Sequence, residues 1–230
     1  VGTITTLTST RLFREKCSMI VCEEHKLLYL APPKTGSISV LTMIDGQPPF
    51  NGYRQDETQA HHNTVWDERF RDWYIFITVR HPYTRMISLW QFALSQMNTV
   101  KHGLPQNEYS HWWYNLLKSR ELSLYRFLTH RKIRSLLRGV WSCHWHLEVI
   151  QRPVDKLVRQ ERFKVEIKQV PGLENMPDRH ANRGYPLDRE WHEYYGHRTL
   201  ELVRDLWVND FEPLGYNSNI TEVIQGKYFV

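Results

Sequence analysis

Lys34-Thr35-Gly36-Ser37 gathers an ammonium, two hydroxyls and a glycine into four residues, directly after the apolar run Leu27-Leu28-Tyr29-Leu30-Ala31-Pro32-Pro33. The chemistry this suits is anion binding. Backbone N–H groups at a helix N-terminus meet an anion, glycine lets the backbone approach it closely, and the lysine adds charge. The loop does not fit the nucleotide-triphosphatase pattern G-x-x-x-x-G-K-[ST]: residues 27–35 hold no glycine, and Lys34 precedes Gly36 instead of following it. A second group of this kind is Arg80, whose guanidinium can fork onto phosphate oxygens. Ser88 lies about two helical turns beyond it and could face the same ligand. Arg85, between them, reads as a structural ion pair.

These groups need elements to position them. Residues 27–31 read as a buried strand, and Ile38, Val40, Leu41 and Ile44 give 37–44 a helical spacing. Residues 73–79 are a continuous apolar and β-branched run, as in a strand buried on both faces, and Pro82 suits the first turn of a helix over 83–97. Ligands of open α/β sheets sit beyond the carboxyl ends of the strands, which is where Lys34 and Arg80 fall. Further strands are expected at 19–21 and 155–159, and further helices over 114–138 and 188–208. Residues 45–72, 98–113 and 171–187 read as loop. The expected fold is α/β: a three-layer α/β/α sandwich around a mainly parallel sheet, in a single domain with a polar lead-in over 1–24.

Apolar residues make up 41% and charged residues 24%, which excludes a disordered chain. No apolar run approaches the roughly 20 residues that span a bilayer, and the first residues lack the pattern of a signal peptide. The net charge of +5 fits a polyanionic cofactor or an acidic substrate, or ordinary surface variation, and no nucleic-acid motif accompanies it. Cys17, Cys22 and Cys143 leave at least one thiol unpaired.

The segments Pro33-Lys34-Thr35-Gly36-Ser37 and Val79-Arg80-His81-Pro82-Tyr83-Thr84-Arg85-Met86-Ile87-Ser88 together resemble the sulfotransferases that use 3′-phosphoadenosine 5′-phosphosulfate (PAPS). The carbohydrate (Golgi-type, family 2) branch and its microbial relatives are the closest likeness. Asp155-Lys156-Leu157-Val158-Arg159-Gln160-Glu161 resembles that branch's late strand. Asp210-Phe211-Glu212-Pro213-Leu214-Gly215-Tyr216 resembles its D-F-x-x-x-G-Y ending, so the likeness runs from about 25 to 217. It implies a P-loop nucleotide-hydrolase-like fold and PAPS as cofactor, with PAP as product and no metal. It implies that Pro33, Lys34, Thr35, Gly36, Ser37, Ile38 and Ser39 hold the 5′-phosphosulfate, and that Arg80 and Ser88 hold the 3′-phosphate. Arg183, in Asn182-Arg183-Gly184, is a second 3′-phosphate candidate.

Sulfuryl transfer needs a cation at the leaving oxygen, donors to the sulfate and a base for the acceptor's proton. Lys34 is the cation. The resemblance implies a histidine base, which points to His62, in His62-Asn63-Thr64-Val65, with His61 second and the carboxylates Asp56, Glu57 and Asp67 as alternatives. Cys143-His144-Trp145-His146 lacks a second cluster for a zinc site and reads better as an element with buried aromatics. Trp112, Trp113 and Tyr114 could line an acceptor cleft or sit in the core. The basic run from Arg131 to Arg138 could hold an acidic glycan or form a solvated face.

The implied activity is sulfuryl transfer from PAPS to an acceptor hydroxyl, of a carbohydrate or small molecule, with no nucleic-acid partner. The alternatives are a small-molecule kinase with a variant phosphate loop and a non-catalytic nucleotide- or glycan-binding module. The compartment is cytoplasmic for a microbial protein and the Golgi lumen for a trimmed eukaryotic one. Acceptor and oligomeric state are open.

Overall fold

The computed structural model describes residues 19–23, 25–44, 54–55, 68–102, 113–115, 123–139, 141–150, 152–176 and 188–230. Five strands form one sheet in the order β3-β1-β2-β4-β5: β1 is Met19–Cys22, β2 Leu27–Leu30, β3 Arg54–Gln55, β4 Tyr74–Val79 and β5 Lys156–Arg159. The pairs β2–β4 and β4–β5 are parallel, whereas β1 runs antiparallel to both β2 and β3. The sheet is therefore mixed, with its parallel half made by the strands that precede the Lys34 loop, Arg80 and Glu161.

Helices cover both faces. Alternate side chains of a strand point to opposite sides, and the core divides accordingly. Leu28, Leu30, Ile75, Ile77 and Val79 face one cluster, walled by α2 (Pro82–Lys101), α3 (Leu124–Thr129), α4 (Arg131–Arg138), α5 (Cys143–Val149) and α7 (His197–Leu206). Leu27, Tyr29, Phe76 and Val158 face the other, walled by α1 (Ser37–Ile44) and α6 (Phe163–Glu166). Two-sided burial is why β2 and β4 read as unbroken apolar runs.

Some expected elements differ. Helix α2 extends four residues past Met97, to Lys101. The stretch 114–138 is not one helix: His130, at φ −70° and ψ 121°, separates α3 from α4. The helix expected over 188–208 begins only at His197, because Tyr195 and Gly196 are extended after a single 3-10 turn at Trp191–Tyr194. Trp113 is core: it is fully buried and stacks on Phe127 and Trp141 at 6.0 and 5.6 Å. The Cys143–His146 stretch opens α5, with Cys143 and His146 buried.

Polar groups in the second face pin the first loop to the sheet. Thr35 Oγ donates to the carbonyl of Pro32 at 2.8 Å, so the Thr78 hydroxyl donates to Thr35 at 2.8 Å and Tyr29 donates to Thr78 at 2.7 Å. Each hydroxyl has one proton, and this order uses all three.

Candidate active site

Parallel pairing of β2, β4 and β5 brings three chain segments to one sheet edge. Leu30 pairs with Ile77, and Val79 with Arg159, so the loops that begin at Ala31, Arg80 and Gln160 leave the sheet side by side. In the first of them, Lys34 has φ +64° and Gly36 φ +100°. The left-handed turn at a lysine costs on the order of 1 kcal/mol, which marks a loop shaped by its surroundings. The Gly36 carbonyl accepts from Ser39 and Val40 N–H at 2.9 and 3.3 Å and so starts α1, leaving the N–H groups of Ser37 and Ile38 ahead of the first intrahelical bond.

The space beside Gly36 is also taken, by the far end of the Gln160 side chain. A Cβ there would come within 2.0 Å of Gln160 Oε1, from the neighbouring loop. The Gln160 oxygen is buried and has no hydrogen-bond partner among the described residues. Within the loop, Thr35 and Ser39 are buried, Pro33, Lys34 and Ser37 are half-buried, and Ile38 is exposed. The Thr35 hydroxyl is turned into the sheet and spent there. Lys34 Nζ sits 4.6 Å from the centroid of the Phe92 ring, which brings α2 against the loop.

Arg80 stands half-buried where β4 ends. Its Nε donates to Thr84 Oγ at 3.2 Å, and among the described residues nothing takes its two terminal nitrogens. Burial lowers its pKa from the ordinary arginine value, and Glu161 and Tyr216 oppose that shift. Yet Glu161 forms no ion pair with it. The Glu161 carboxylate accepts instead from the His81 N–H at 2.8 Å and the Tyr216 hydroxyl at 2.9 Å. Ser88, in α2, is half-buried and its hydroxyl makes no hydrogen bond among the described residues.

Arg85 and Asp210 hold this edge together from beneath. Arg85 is fully buried and donates to Asp210 at 3.0 Å, to the Trp141 carbonyl at 2.6 Å and to the Pro33 carbonyl at 3.0 Å. Asp210 also accepts from Ser142 Oγ and from the N–H groups of Cys143 and His144, at 2.7 to 2.8 Å, which caps α5. The D-F-x-x-x-G-Y ending is thus a brace: Asp210 holds Arg85, Arg85 holds the first loop, and Tyr216 holds Glu161. Gly215, at φ +76°, leaves room for the Arg159 guanidinium 2.9 Å from where a Cβ would be. Buried beside this carboxylate, the Cys143 thiol is pushed up to about 12 and is inert as a nucleophile.

His62, His61, Asp56, Glu57, Asp67, Arg183 and Trp112 lie outside the described residues. Gln160 was not singled out from sequence. Its place one residue past a strand, at the edge where the other two loops emerge, is the feature that would have found it.

The profile of the Sulfotransferase family matches residues 18–217. The chain belongs to the sulfotransferase family. No curated protein and no solved structure matches it. The match takes in every described strand of this sulfotransferase, both anion-binding candidates and the Asp210–Tyr216 brace, and it makes the protein a transferase of the sulfotransferase type. Among the described residues, no helix is long and apolar enough to cross a membrane, and no group of three or more His, Cys, Asp or Glu is placed to hold a metal ion.

One buried residue at this edge of the sulfotransferase should be visible in its stability. His81 Nε2 donates to the Asn217 carbonyl at 2.9 Å, while Nδ1 is buried without a hydrogen-bond partner among the described residues. Protonation would put an unpaired charge there, and burial lowers the His81 pKa from 6.5 to about 4. The unfolded chain therefore binds a proton that the fold refuses. The contribution is fully present above pH 6.5 and is lost as pH falls toward 4, amounting to ~2 kcal/mol by about pH 5. Urea unfolding at about pH 7 and pH 5, in wild type and His81→Asn, measures it. The variant should lose much less between the two pH values, and equal losses would rule this source out.

Proposed function

We propose that this sulfotransferase moves a sulfuryl group from PAPS to the hydroxyl of a carbohydrate or small-molecule acceptor. The observation that carries this reading is the Arg80 guanidinium, half-buried and lacking a carboxylate partner, on the same sheet edge as the Lys34 loop. A charge withdrawn from water without a partner is costly, and an anionic ligand removes that cost. Two anion sites on adjacent parallel strands suit a ligand with two separate anionic groups, and PAPS is one. Gly36, two open N–H groups and the half-buried Ser88 hydroxyl fit it as well.

PAPS supplies an activated sulfuryl group on a phosphate leaving group. The chain's residues do the rest. The loop from Pro33 to Ser39 cradles the phosphosulfate with backbone N–H groups and the Ser37 hydroxyl, with Ser39 and Thr35 shaping it from within. Lys34 puts positive charge where negative charge grows on the leaving oxygen. Arg80 and Ser88 grip the 3′-phosphate, joined by Arg183. His62, with His61 second, takes the acceptor's proton as a neutral imidazole.

Calorimetric titration of PAP, beside ATP and adenosine 5′-phosphosulfate, tests the donor. Wild type should prefer PAP, and Arg80→Ala should weaken PAP by about 10- to 100-fold, the loss of a charged hydrogen-bonded pair. Adenosine 5′-phosphosulfate, which lacks the 3′-phosphate, should be nearly indifferent to that change. A folded wild type that binds ATP with Mg²⁺ and ignores PAP would instead support the kinase reading.

A further inference from the structure

Helix α2 touches both cations of the candidate site along one line of its surface. Thr84, Ser88 and Phe92 follow one another at i, i+4 spacing, so their side chains share one face of the helix, and all three are half-buried. Met86, Leu89 and Ala93 turn away from that face into the core. At one end of the line, Thr84 Oγ accepts from Arg80 Nε at 3.2 Å. At the other end, Lys34 Nζ sits 4.6 Å from the centroid of the Phe92 ring. From Thr84 to Phe92 is about 12 Å along the helix axis. Arg80 and Lys34 arrive on different loops, yet one rigid helix spaces them.

The contact fixes the end of a side chain whose base is already fixed. Lys34 leaves the backbone at φ +64°, in a loop that Arg85 holds at the Pro33 carbonyl and Thr78 holds at the Thr35 hydroxyl. The four-carbon stem beyond it has rotamer freedom, and losing that freedom during a reaction raises the barrier. An aromatic face attracts an ammonium through its quadrupole and so removes much of that freedom beforehand. Because the ring is neutral, it leaves the positive charge uncancelled and does not repel an incoming anion.

We propose that Phe92 is a positioning residue for sulfuryl transfer: its ring seats the Lys34 ammonium at a place that α2 fixes relative to Arg80. The ammonium stays on the ring while it meets the leaving phosphate oxygen. That oxygen keeps the electron pair of the breaking S–O bond, and Lys34 offsets the charge without giving up a proton. The acceptor oxygen bonds the sulfur, and its own proton goes to the base. The inference rests on the donor reading above and adds to it a residue that acts through Lys34.

Nuclear magnetic resonance of the whole chain, with lysine isotope-labelled at Cε, reports the seat directly. A ring face shifts the Lys34 ε-methylene protons upfield of the other lysines, and Lys34→Arg identifies the signal. The upfield signal is expected in wild type, with and without saturating PAP, and in Phe92→Tyr. In Phe92→Leu it should return to the ordinary lysine position. Single-turnover transfer should fall about tenfold in Phe92→Leu, with PAP affinity within about twofold of wild type and most of the rate restored in Phe92→Tyr. In a Lys34→Ala background, Phe92→Leu should cost nothing more. An ordinary Lys34 signal in wild type overturns the inference, as does one that PAP pulls off the ring. A loss of the same size in the Lys34→Ala background also overturns it, since the ring would then act on its own. A folded wild type that does not bind PAP overturns the donor reading, and the inference falls with it. That failure shows in the titration and not in the Lys34 signal of the free protein.

Discussion

Lys34→Ala should cut sulfuryl transfer by about 10²- to 10³-fold while PAP binding changes only a few-fold. The asymmetry follows from when the charge is needed. On the proposed reading the N–H groups that open α1 and the Ser37 hydroxyl would already hold the phosphosulfate in the ground state, so one ammonium would add little. Negative charge then builds on the bridging oxygen as the sulfuryl group departs, and a cation placed there stabilises the transition state more than the complex. Lys34 is suited to this by its left-handed backbone and by the neutral Phe92 ring beneath its ammonium. Lys34→Arg should recover only part of the rate, because a planar fork does not follow a single oxygen as a compact ammonium does. Single-turnover transfer to an acceptor found by screening, read beside PAP titration, separates the two effects. Full transfer by Lys34→Ala would remove Lys34 from the chemistry.

Asp210→Ala should destabilise the fold by about 3–5 kcal/mol, a large share of the stability of a domain this size. The carboxylate is buried and satisfies four donors, among them the buried Arg85. Its removal leaves a charged guanidinium and the first N–H groups of α5 without an acceptor. Because Arg85 also holds the Pro33 carbonyl, the damage should reach the anion loop. PAP affinity should fall although Asp210 lies beneath the loop and not in it. Asp210→Asn, which keeps the shape and some acceptors, should lose less. Urea midpoints report the stability, and a midpoint for Asp210→Ala close to wild type would show that the brace is dispensable.

Much of the positioning frame was legible in the residues. β2 and β4 are buried on both faces, which forces unbroken apolar runs, and a strand read this way also says where its carboxyl end lies. That is why Lys34 and Arg80 could be placed at one edge from sequence. Breaks within helical stretches were harder. His130 carries no glycine or proline signal, and what ends α3 there is tertiary packing of Phe127 and Leu128 into the core, followed by a new direction for Ile133 and Leu137. The start of α7 was also missed, by nine residues, although Gly196 stands just before it. Asp210 shows the limit for the site. Its motif could be recognised, but its partner Arg85 is 125 residues away, and no local spacing encodes a long-range ion pair. The inward turn of the Thr35 hydroxyl is similar, because it depends on Tyr29 and Thr78 lying on adjacent strands.

The parallel pairing of β2, β4 and β5 has a consequence in time. Strands that run the same way cannot be joined by a tight hairpin, so each crossover must wander before it returns: Leu30 meets Ile77, and Val79 meets Arg159. Contacts so distant along the chain pay a heavy loop-closure entropy before they are rewarded, and such topologies form slowly. Here the last strand to emerge from the ribosome, β5, brings Gln160 and Glu161, and the Asp210 brace comes later still. A nascent chain therefore has its lysine loop and its arginine long before it has a seat for any ligand. On the proposed reading an anion site at this edge would be a late product of folding, and a ligand that fits it would act as a latch on the finished domain and not as a template for its assembly.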